Sequence, residues 1–539
     1  MLLLLFATPA HAWSGWGGGP LNNRWAQSNT AITSQSIANL TPHCNLTDAA
    51  GVSATPVVDG NTAYYPTWSG AFIAINLLTC LPLWQTNLST LLPSPPPSPS
   101  PFSPRPLSRT SPQLHAGILF LGTQLGASVL ALNASTGALL ASHKIHTHPL
   151  AMITQSPTYD PSSNLLLIGT SSMEHVAITN PSAAKCCSFT GSFAALSYNQ
   201  STSQFSIKWT LPTIPASRLL EGWAGAAVWG SQPAVVNSTV YIGTGNTYSV
   251  PPSTVSCQKE NNATAYGGDA QDGQDPCLPS DVLQDSIVAI DITSGKIKWA
   301  RQFGGVDAFS MACGYPGMSG GAWGQVDTTI CPQVPGPDAD FGMAPAVVTV
   351  EGKKRLVVGR KNGVVYCLEA EDGRTVWKTV AAPPGVGGGV SWGVAADGER
   401  VYYGSINTGY LSWEIIGTGG NKTKVDMGFY GALSLRDGSV VWQTAVPKNG
   451  LVIAPPTVVG DVVLVARTGQ DPDKTSSYDQ TQGGLVALHA ETGSVLKDYE
   501  LPTNMHGGVA VRDNYLMFGT GYSGRLSTGV TGGFNVFKV

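Results

Sequence analysis

The stretch DADFGMAPAVV carries two carboxylates, Asp338 and Asp340, spaced so that an extended strand would turn both to one face. An aspartate can accept a proton, and it can also serve as an oxygen donor to a hard cation. Other residues with such chemistry sit just past strand-like runs. They are Glu174 in GTSSMEHVA, Asn246 in IGTGNTY, Asp281 in LPSDVLQDSIVAID and Asp307 in GGVDAFSMACG. Asn246 and Asp281 compete for one role, and spacing does not separate them. Asp338, nearer the loop, reads as the more exposed of its pair. Lys361 lies in GRKNGVVY, where Lys-Asn-Gly alone predicts a turn lysine facing water. KCCSF, from Lys185 to Phe189, sets Cys186 beside Cys187. Neighbouring cysteines bond each other only by closing an eight-membered ring. Separate partners, or a clip that stiffens the loop, are the alternatives.

These residues need a framework that brings distant parts of the chain together. The 539 residues include 63 Gly and 38 Pro but only 12% charged residues, a balance that favours turns and short strands. The net charge is −4 and no basic run occurs, so nucleic acid is not an expected partner. One unit recurs: FIAINLLTCLPLW, VLALNASTGALLA, FAALSYNQSTSQFSIKW, IVAIDITSGKIKW, VYCLEAEDGRTVW, GALSLRDGSVVW and LVALHAETGSVLK. Each alternates apolar residues, turns on an Asx/Ser-x-Gly type sequence and alternates again, as hairpins do. Spacings of roughly 50 to 95 residues fit four-stranded propeller blades. The recurring Trp can pack a blade against the next. GGFNVFKV, ending at Val539, needs partners that the segment after Trp13 can supply. The expected architecture is all-β: an eight-bladed propeller spanning residues 13–539, closed by strands from both termini, with seven blades as the alternative.

MLLLLFATPAHA, residues 1–12, reads as a signal peptide, and no other run reaches the roughly 18 apolar residues of a membrane span. Asn-x-Ser/Thr sequons begin at Asn39, Asn45, Asn87, Asn133, Asn199, Asn237, Asn262 and Asn421. The expectation is a secreted glycoprotein. PSPPPSPSPFSPRP, Pro93–Pro106, is expected as a surface insertion, since Pro has no amide to give a sheet. Spacing suggests the disulfides Cys44–Cys80, Cys257–Cys277 and Cys313–Cys331, with Cys367 free and buried.

AIDITSGKIKW resembles the tryptophan-docking motif of PQQ-dependent quinoprotein alcohol dehydrogenases. GPDADFGMAPAVV, GGVSWGVAADGERVYYG, GAAVWGSQP and KCCSFTGSFAAL resemble the polyvinyl-alcohol-dehydrogenase-like branch, and the resemblance runs from Trp13 to Val539. It implies an eight-bladed propeller holding pyrroloquinoline quinone (PQQ) on its axis beside Ca²⁺. Glu174 and Asp340 would bind the ion, with Asn246 or Asp281 beside them, and Asp340 would also be the general base. Lys361 would bond the quinone oxygens, and Arg109 would pair with a PQQ carboxylate. Trp229 and a Cys186–Cys187 disulfide would form the two faces of the pocket, with Thr154 and Trp392 lining it. In the methanol-oxidising branch the cysteine pair precedes the glutamate, whereas here it follows Glu174.

The implied activity is oxidation of an alcohol, small or polymeric, with electrons passing to a separate acceptor. No Cys-x-x-Cys-His offers a haem attachment, no Gly-x-Gly-x-x-Gly is expected to follow a strand and open a helix, and no P-loop occurs. The competing expectation is a cofactor-free extracellular propeller that acts as a binding or scaffold module.

Overall fold

A computed structural model describes residues 13–92, 104–177, 186–264, 272, 275–314, 329–385, 387–470, 482–522 and 531–539. Eight antiparallel sheets form a ring of blades. Blade 1 comprises Val57–Asp59, Thr62–Pro66, Ala71–Asn76 and Pro82–Asn87. Blades 2 to 7 repeat the plan, their inner strands being Gln113–His115, Thr158–Asp160, Ala234–Val236, Ala346–Val350, Ala395–Ala396 and Thr457–Val459. Blade 8 takes Ala510–Arg512, Tyr515–Thr520 and Gly532–Lys538 from the C-terminal end and its outer strand, Thr41–Asp48, from the N-terminal end. The two ends thus close the ring by completing the last blade as a four-stranded sheet.

Six inner strands are entered through a proline: Pro56, Pro112, Pro157, Pro233, Pro345 and Pro456. A residue without an amide donor suits the first step of a strand that has a partner on one side only.

The outer strands carry the contacts between blades. Trp84, Trp209, Trp299, Trp377 and Trp442 occupy one register position, opposite Ala74, Ala195, Ala289, Cys367 and Ala432 and next to a bulge. Each indole N–H donates to a carbonyl in the hairpin turn of the following blade: Ala134, Ile292, Ala370, Leu435 and Ala490. Each ring also covers a left-handed turn glycine there: Gly137, Gly295, Gly373, Gly438 and Gly493. No larger residue fits under the ring at that φ.

The other three seams differ. Cys44 holds the tryptophan position of blade 8, opposite Val536, and bonds Cys80, which holds the glycine position in blade 1. Lys497 holds it in blade 7 and donates to Ala38, beside the turn Ser36–Asn39 whose Ile37 is buried. Ala141 holds it in blade 2.

The segment after Trp13 supplies one strand of blade 8, Thr41–Asp48, but residues 13–25 do not run as a strand of that blade. They cross the axis instead, bonding the second residue of one inner strand after another: Val58 with Trp13, Leu114 with Ser14, Val235 with Pro20, Val347 with Leu21, Ala396 with Asn23, and Val458 with Arg24. Arg24 is fully buried and donates to the carbonyls of Trp16, Pro456 and Val509 and to the hydroxyls of Thr55 and Thr457. Burial lowers its pKa to about 9. The axis is therefore stopped at one end.

All four expected disulfides are present, Cys186–Cys187 among them, and Cys367 is free and buried. Residues 1–12, and most of the Pro-rich stretch, lie outside the described residues. No helix among the described residues is long and apolar enough to cross a membrane.

Candidate active site

Each inner strand begins near the axis, so the chain entering it must pass the axis too. The residues four places ahead of six inner strands, Ser53, Arg109, Thr154, Gly230, Ile453 and His506, line a cavity of about 220 Å³. Trp16 from the axial segment forms part of its wall, with Trp68, Trp229, Trp392 and Tyr522. Trp392 meets Trp229 edge-on at 5.3 Å, so it is a wall residue and not a buried core residue. Thr154 Oγ1 donates to the carbonyl of Trp229 at 2.9 Å and so fixes that wall.

Behind Trp229 lies a charged group. Its indole Nε1 donates to Asp340 Oδ2 at 2.8 Å. Lys361 Nζ stands 2.6 Å from Asp340 Oδ1 and 3.0 Å from Asp338 Oδ1, with its ammonium 5.6 Å from the Trp229 ring. Burial opposes the ammonium charge, but the two carboxylates outweigh it and push the Lys361 pKa up. The reading of a water-facing turn lysine is therefore excluded. Asp338 is likewise buried, 6% exposed, and not the exposed member of its pair. Burial raises its pKa well above the usual carboxylate value, against the pull of Lys361 and with the push of Asp340 and Asp307.

Asp307 organises this loop. Its two oxygens accept the amides of Asp338 and Ala339 at 2.9 and 2.6 Å, which aims Asp340 at Trp229. Burial raises its pKa, partly offset by those bonds and by Arg360. A pair missed by sequence reasoning lies beneath: Arg360 donates to Asp285 at 2.7 Å, both fully buried. Arg360 adjoins Lys361 just past the strand Lys353–Gly359, yet the two bond different carboxylates, Asp285 for one and Asp338 and Asp340 for the other.

Glu174 opens a short helix, Glu174–Ala177, directly after the strand Leu165–Ser172. Its carboxylate accepts the amides of Ser188 and Phe189 at 2.9 Å each and lies 3.4 Å from His148 Nε2. Burial would raise its pKa, yet His148 and the two amides leave it lowered. Those amides directly follow Cys186–Cys187, so Glu174 anchors the disulfide loop. Cys187 and Trp229 pack against one apolar cluster that includes Phe189 and Tyr248. The pair itself does not line the 220 Å³ cavity.

Asn246 is the better placed of the two competing donors. Its Nδ2 donates to the carbonyls of Thr247 and Phe309, which leaves Oδ1 turned away from both. A Cβ on its neighbour Gly245 would stand 2.9 Å from Asp340 Oδ2. Asp281 is instead half-exposed in a surface pair with Arg218. Two buried side chains feel the charge of both Glu174 and Asp340. Tyr248 has its pKa raised by burial and then by Glu174, Asp340 and Asp338, while Lys361 opposes them. His175, 4.9 Å from the Tyr248 ring, is lowered to about 4 by burial and Lys361, against Asp340 and Glu174. The donor set Glu174, Asn246 and Asp340 is all oxygen, which fits a hard cation.

Among proteins of known identity, a polyvinylalcohol dehydrogenase from Pseudomonas sp is 27% identical over 447 residues, covering 81% of this chain and 60% of that protein. One from Sphingopyxis sp. (strain 113P3) is 24% identical over 521 residues, covering 88% and 70%. The chain is similar to the polyvinylalcohol dehydrogenases over most of its length. Residues 284–526 of this chain also match the family described as outer membrane protein assembly factor BamB. Its ring of eight blades superposes on a europium-containing methanol dehydrogenase with a TM-score of 0.64 at 16% identity, covering 99% of each chain. A quinohemoprotein alcohol dehydrogenase from Comamonas testosteroni gives 0.63 at 17% identity, over 97% of this chain and 80% of that one. The eight-bladed fold read from the repeat is thus the fold of these enzymes. The polyvinylalcohol dehydrogenase relative from Pseudomonas extends well beyond the part that this chain spans.

Proposed function

We propose that the protein is a quinoprotein alcohol dehydrogenase, using PQQ and calcium to oxidise an alcohol and passing the electrons to a separate acceptor. The observation that carries this reading is the Trp229–Asp340–Lys361 group at the wall of an axial cavity that has Arg109 in its lining. When bound, the quinone supplies a two-electron acceptor and the hard cation a Lewis acid. Glu174, Asn246 and Asp340 would hold the cation, and Arg109 would pair with a cofactor carboxylate. Trp229 offers a flat wall, held in place by Thr154. Cys186 and Cys187 lie outside the cavity lining, so their part in this reading is to stiffen the loop whose Ser188 and Phe189 amides Glu174 holds. A carboxylate oxygen of Asp340 takes the hydroxyl proton, and the Trp229 N–H and Lys361 fix the plane of that carboxylate. Lys361, with its raised pKa, stays an ammonium and stabilises negative charge beside it.

A cofactor-free scaffold gains nothing from this group. Burying a lysine between two carboxylates costs desolvation that an apolar core would avoid. The polymer named in the relatives' description is one substrate to test among others. Seven of the eight sequon asparagines are exposed, and only Asn133 is half-buried, which suits the secreted glycoprotein reading.

The test is titration of the purified protein with PQQ and Ca²⁺, read by quenching of tryptophan fluorescence, then dye reduction with primary, secondary and polymeric alcohols. Saturable quenching and alcohol-dependent dye reduction are expected, with turnover lost in Asp340→Asn. Absence of quenching, or equal turnover in Asp340→Asn, would overturn the reading.

A further inference from the structure

The seam between blades 2 and 3 lacks its docking tryptophan. Ala141 stands opposite Ala131 at the register position that holds Trp in five other blades. The hairpin that would receive the ring is also longer. Its strands Ser192–Asn199 and Gln204–Pro212 continue past the bulge through Tyr198 paired with Phe205 and Asn199 paired with Gln204. Tyr198 and Phe205 fold back onto Phe120, with centroids at 5.6 and 6.1 Å, and take over the apolar contact. Beside this altered seam lies a cleft of about 790 Å³, whose lining includes Phe120, Tyr198 and the raised hairpin. It opens among the turns that leave the inner strands, so it lies at the opposite end of the blades from the cup.

The lining of the cleft is specific in kind. His115 and Tyr159 are half-buried and stacked at 4.2 Å, which presents a flat aromatic surface. Around them stand exposed Asn164, Asn199, Gln200 and Lys208. The Asn164 and Asn199 amide oxygens are taken up locally, by the Tyr159 hydroxyl and by the Ser201 amide at 2.9 Å. Their amide N–H groups remain for a ligand. Among the described residues, one cation and no carboxylate line the cleft, so an ionic ligand finds little to balance it. A neutral ligand with C–H faces and many hydroxyls matches both features: the aromatic plane covers the face, and the carboxamides bond the hydroxyls.

We propose that this cleft is a saccharide-binding site. Two sources supply that chemistry, an external neutral glycan or the chain's own carbohydrate. Asn199-Gln200-Ser201 is a sequon on the cleft rim, and Ser201 Oγ donates to Asn199 Oδ1 at 2.7 Å. Attachment there would form a bond from Asn199 Nδ2 to the anomeric carbon. It would break the glycosyl–phosphate bond of a lipid-linked donor, the diphosphate leaving and one amide proton being released.

The test uses the whole protein made in two hosts. Protein from a host without N-glycosylation is titrated with cellohexaose, xylohexaose and mannohexaose by isothermal calorimetry. At least one is expected to bind, with affinity about tenfold weaker in His115→Ala and in Gln200→Ala, two substitutions at the cleft wall and hairpin tip whose folding is checked by circular dichroism. Protein secreted by a glycosylating host is mapped at Asn199 by mass spectrometry. An occupied Asn199 with sugar binding abolished, and restored in Asn199→Gln, assigns the site to the chain's own glycan. An empty Asn199 with binding retained assigns it to an external one. Failure of all three hexasaccharides to bind the unglycosylated protein, or binding unchanged in both cleft variants, overturns the proposal.

Discussion

Lys361 keeps its charge because two carboxylates hold it, and they in turn depend on it. Removing the ammonium in Lys361→Ala leaves Asp338 and Asp340 facing each other without a counter-charge, and the expected loss is roughly 3 to 5 kcal/mol of stability. Asp340→Asn keeps one acceptor oxygen, enough for either the Trp229 N–H or the Lys361 ammonium but not both, so its stability loss should stay under about 3 kcal/mol while turnover disappears. Urea unfolding of the two variants separates the roles, and a larger loss in Asp340→Asn would contradict this account. His506 yields a pH-dependent prediction. Burial and the nearby Arg109 lower its pKa to about 3. In the unfolded chain it takes a proton near its ordinary 6.5, which the folded state refuses. The unfolded state therefore binds more protons between these values, and stability falls as pH drops through that window. His506→Gln should flatten the acid limb by about 1 to 2 kcal/mol between pH 6.5 and 5, read as the difference between wild-type and variant denaturation midpoints. An unchanged limb would remove His506 from the cup's electrostatics.

At the scale of the elements, the hairpin and its tryptophan were legible because both are local. A strand, a turn and a bulge repeat within a dozen or so residues, and the rare Trp marks the register. The same locality explains what was hidden. Asp307 fastening the Asp338–Ala339 amides, and Arg360 buried on Asp285, are pairs far apart in the chain that no periodicity records. The proline at six inner strands was a readable signal in ATPVV, TSPQL, QSPTY, SQPAV, MAPAV and PPTVV that escaped notice. Spacing alone could not separate Asn246 from Asp281, because nothing local says which strand end faces the axis and which faces Arg218. The docks make a quantitative claim. Trp299→Ala deletes an indole, its hydrogen bond to Ala370 and the cover over Gly373, and should cost about 3 to 5 kcal/mol. Opening Cys44–Cys80 by Cys44→Ser should destabilise by about 2 to 4 kcal/mol, because it removes a covalent tie at the seam where first and last blades meet. If thermal midpoints show Cys44→Ser to be neutral, the seam is held by strand pairing alone.

For the molecule as a whole, one stretch near the N-terminus holds the ring together in three ways. Residues 13–25 stop the axis, Ser36–Asn39 covers the seam of blades 7 and 8, and Thr41–Asp48 completes blade 8. The cup depends on the first of these. Trp16 forms part of its wall, and the Arg24 guanidinium lies 4.6 Å from the Trp16 ring. Among the described residues Arg24 meets carbonyls and hydroxyls from blades 1, 7 and 8 and no carboxylate, which leaves positive charge beneath the cavity. Two consequences follow from that position. Arg24→Met strands several buried acceptors and should cost about 3 to 5 kcal/mol. It should also remove positive potential from a cup whose proposed occupant is an anion, weakening PQQ about tenfold or more. Trp16→Ala separates the two effects, since it opens the wall but leaves the guanidinium in place. Fluorescence titration with PQQ at low and at high salt decides between them: a charge effect shrinks with salt, whereas a shape effect does not. If Arg24→Met binds PQQ as wild type does, the axial segment is mortar for the ring and contributes nothing to the cup.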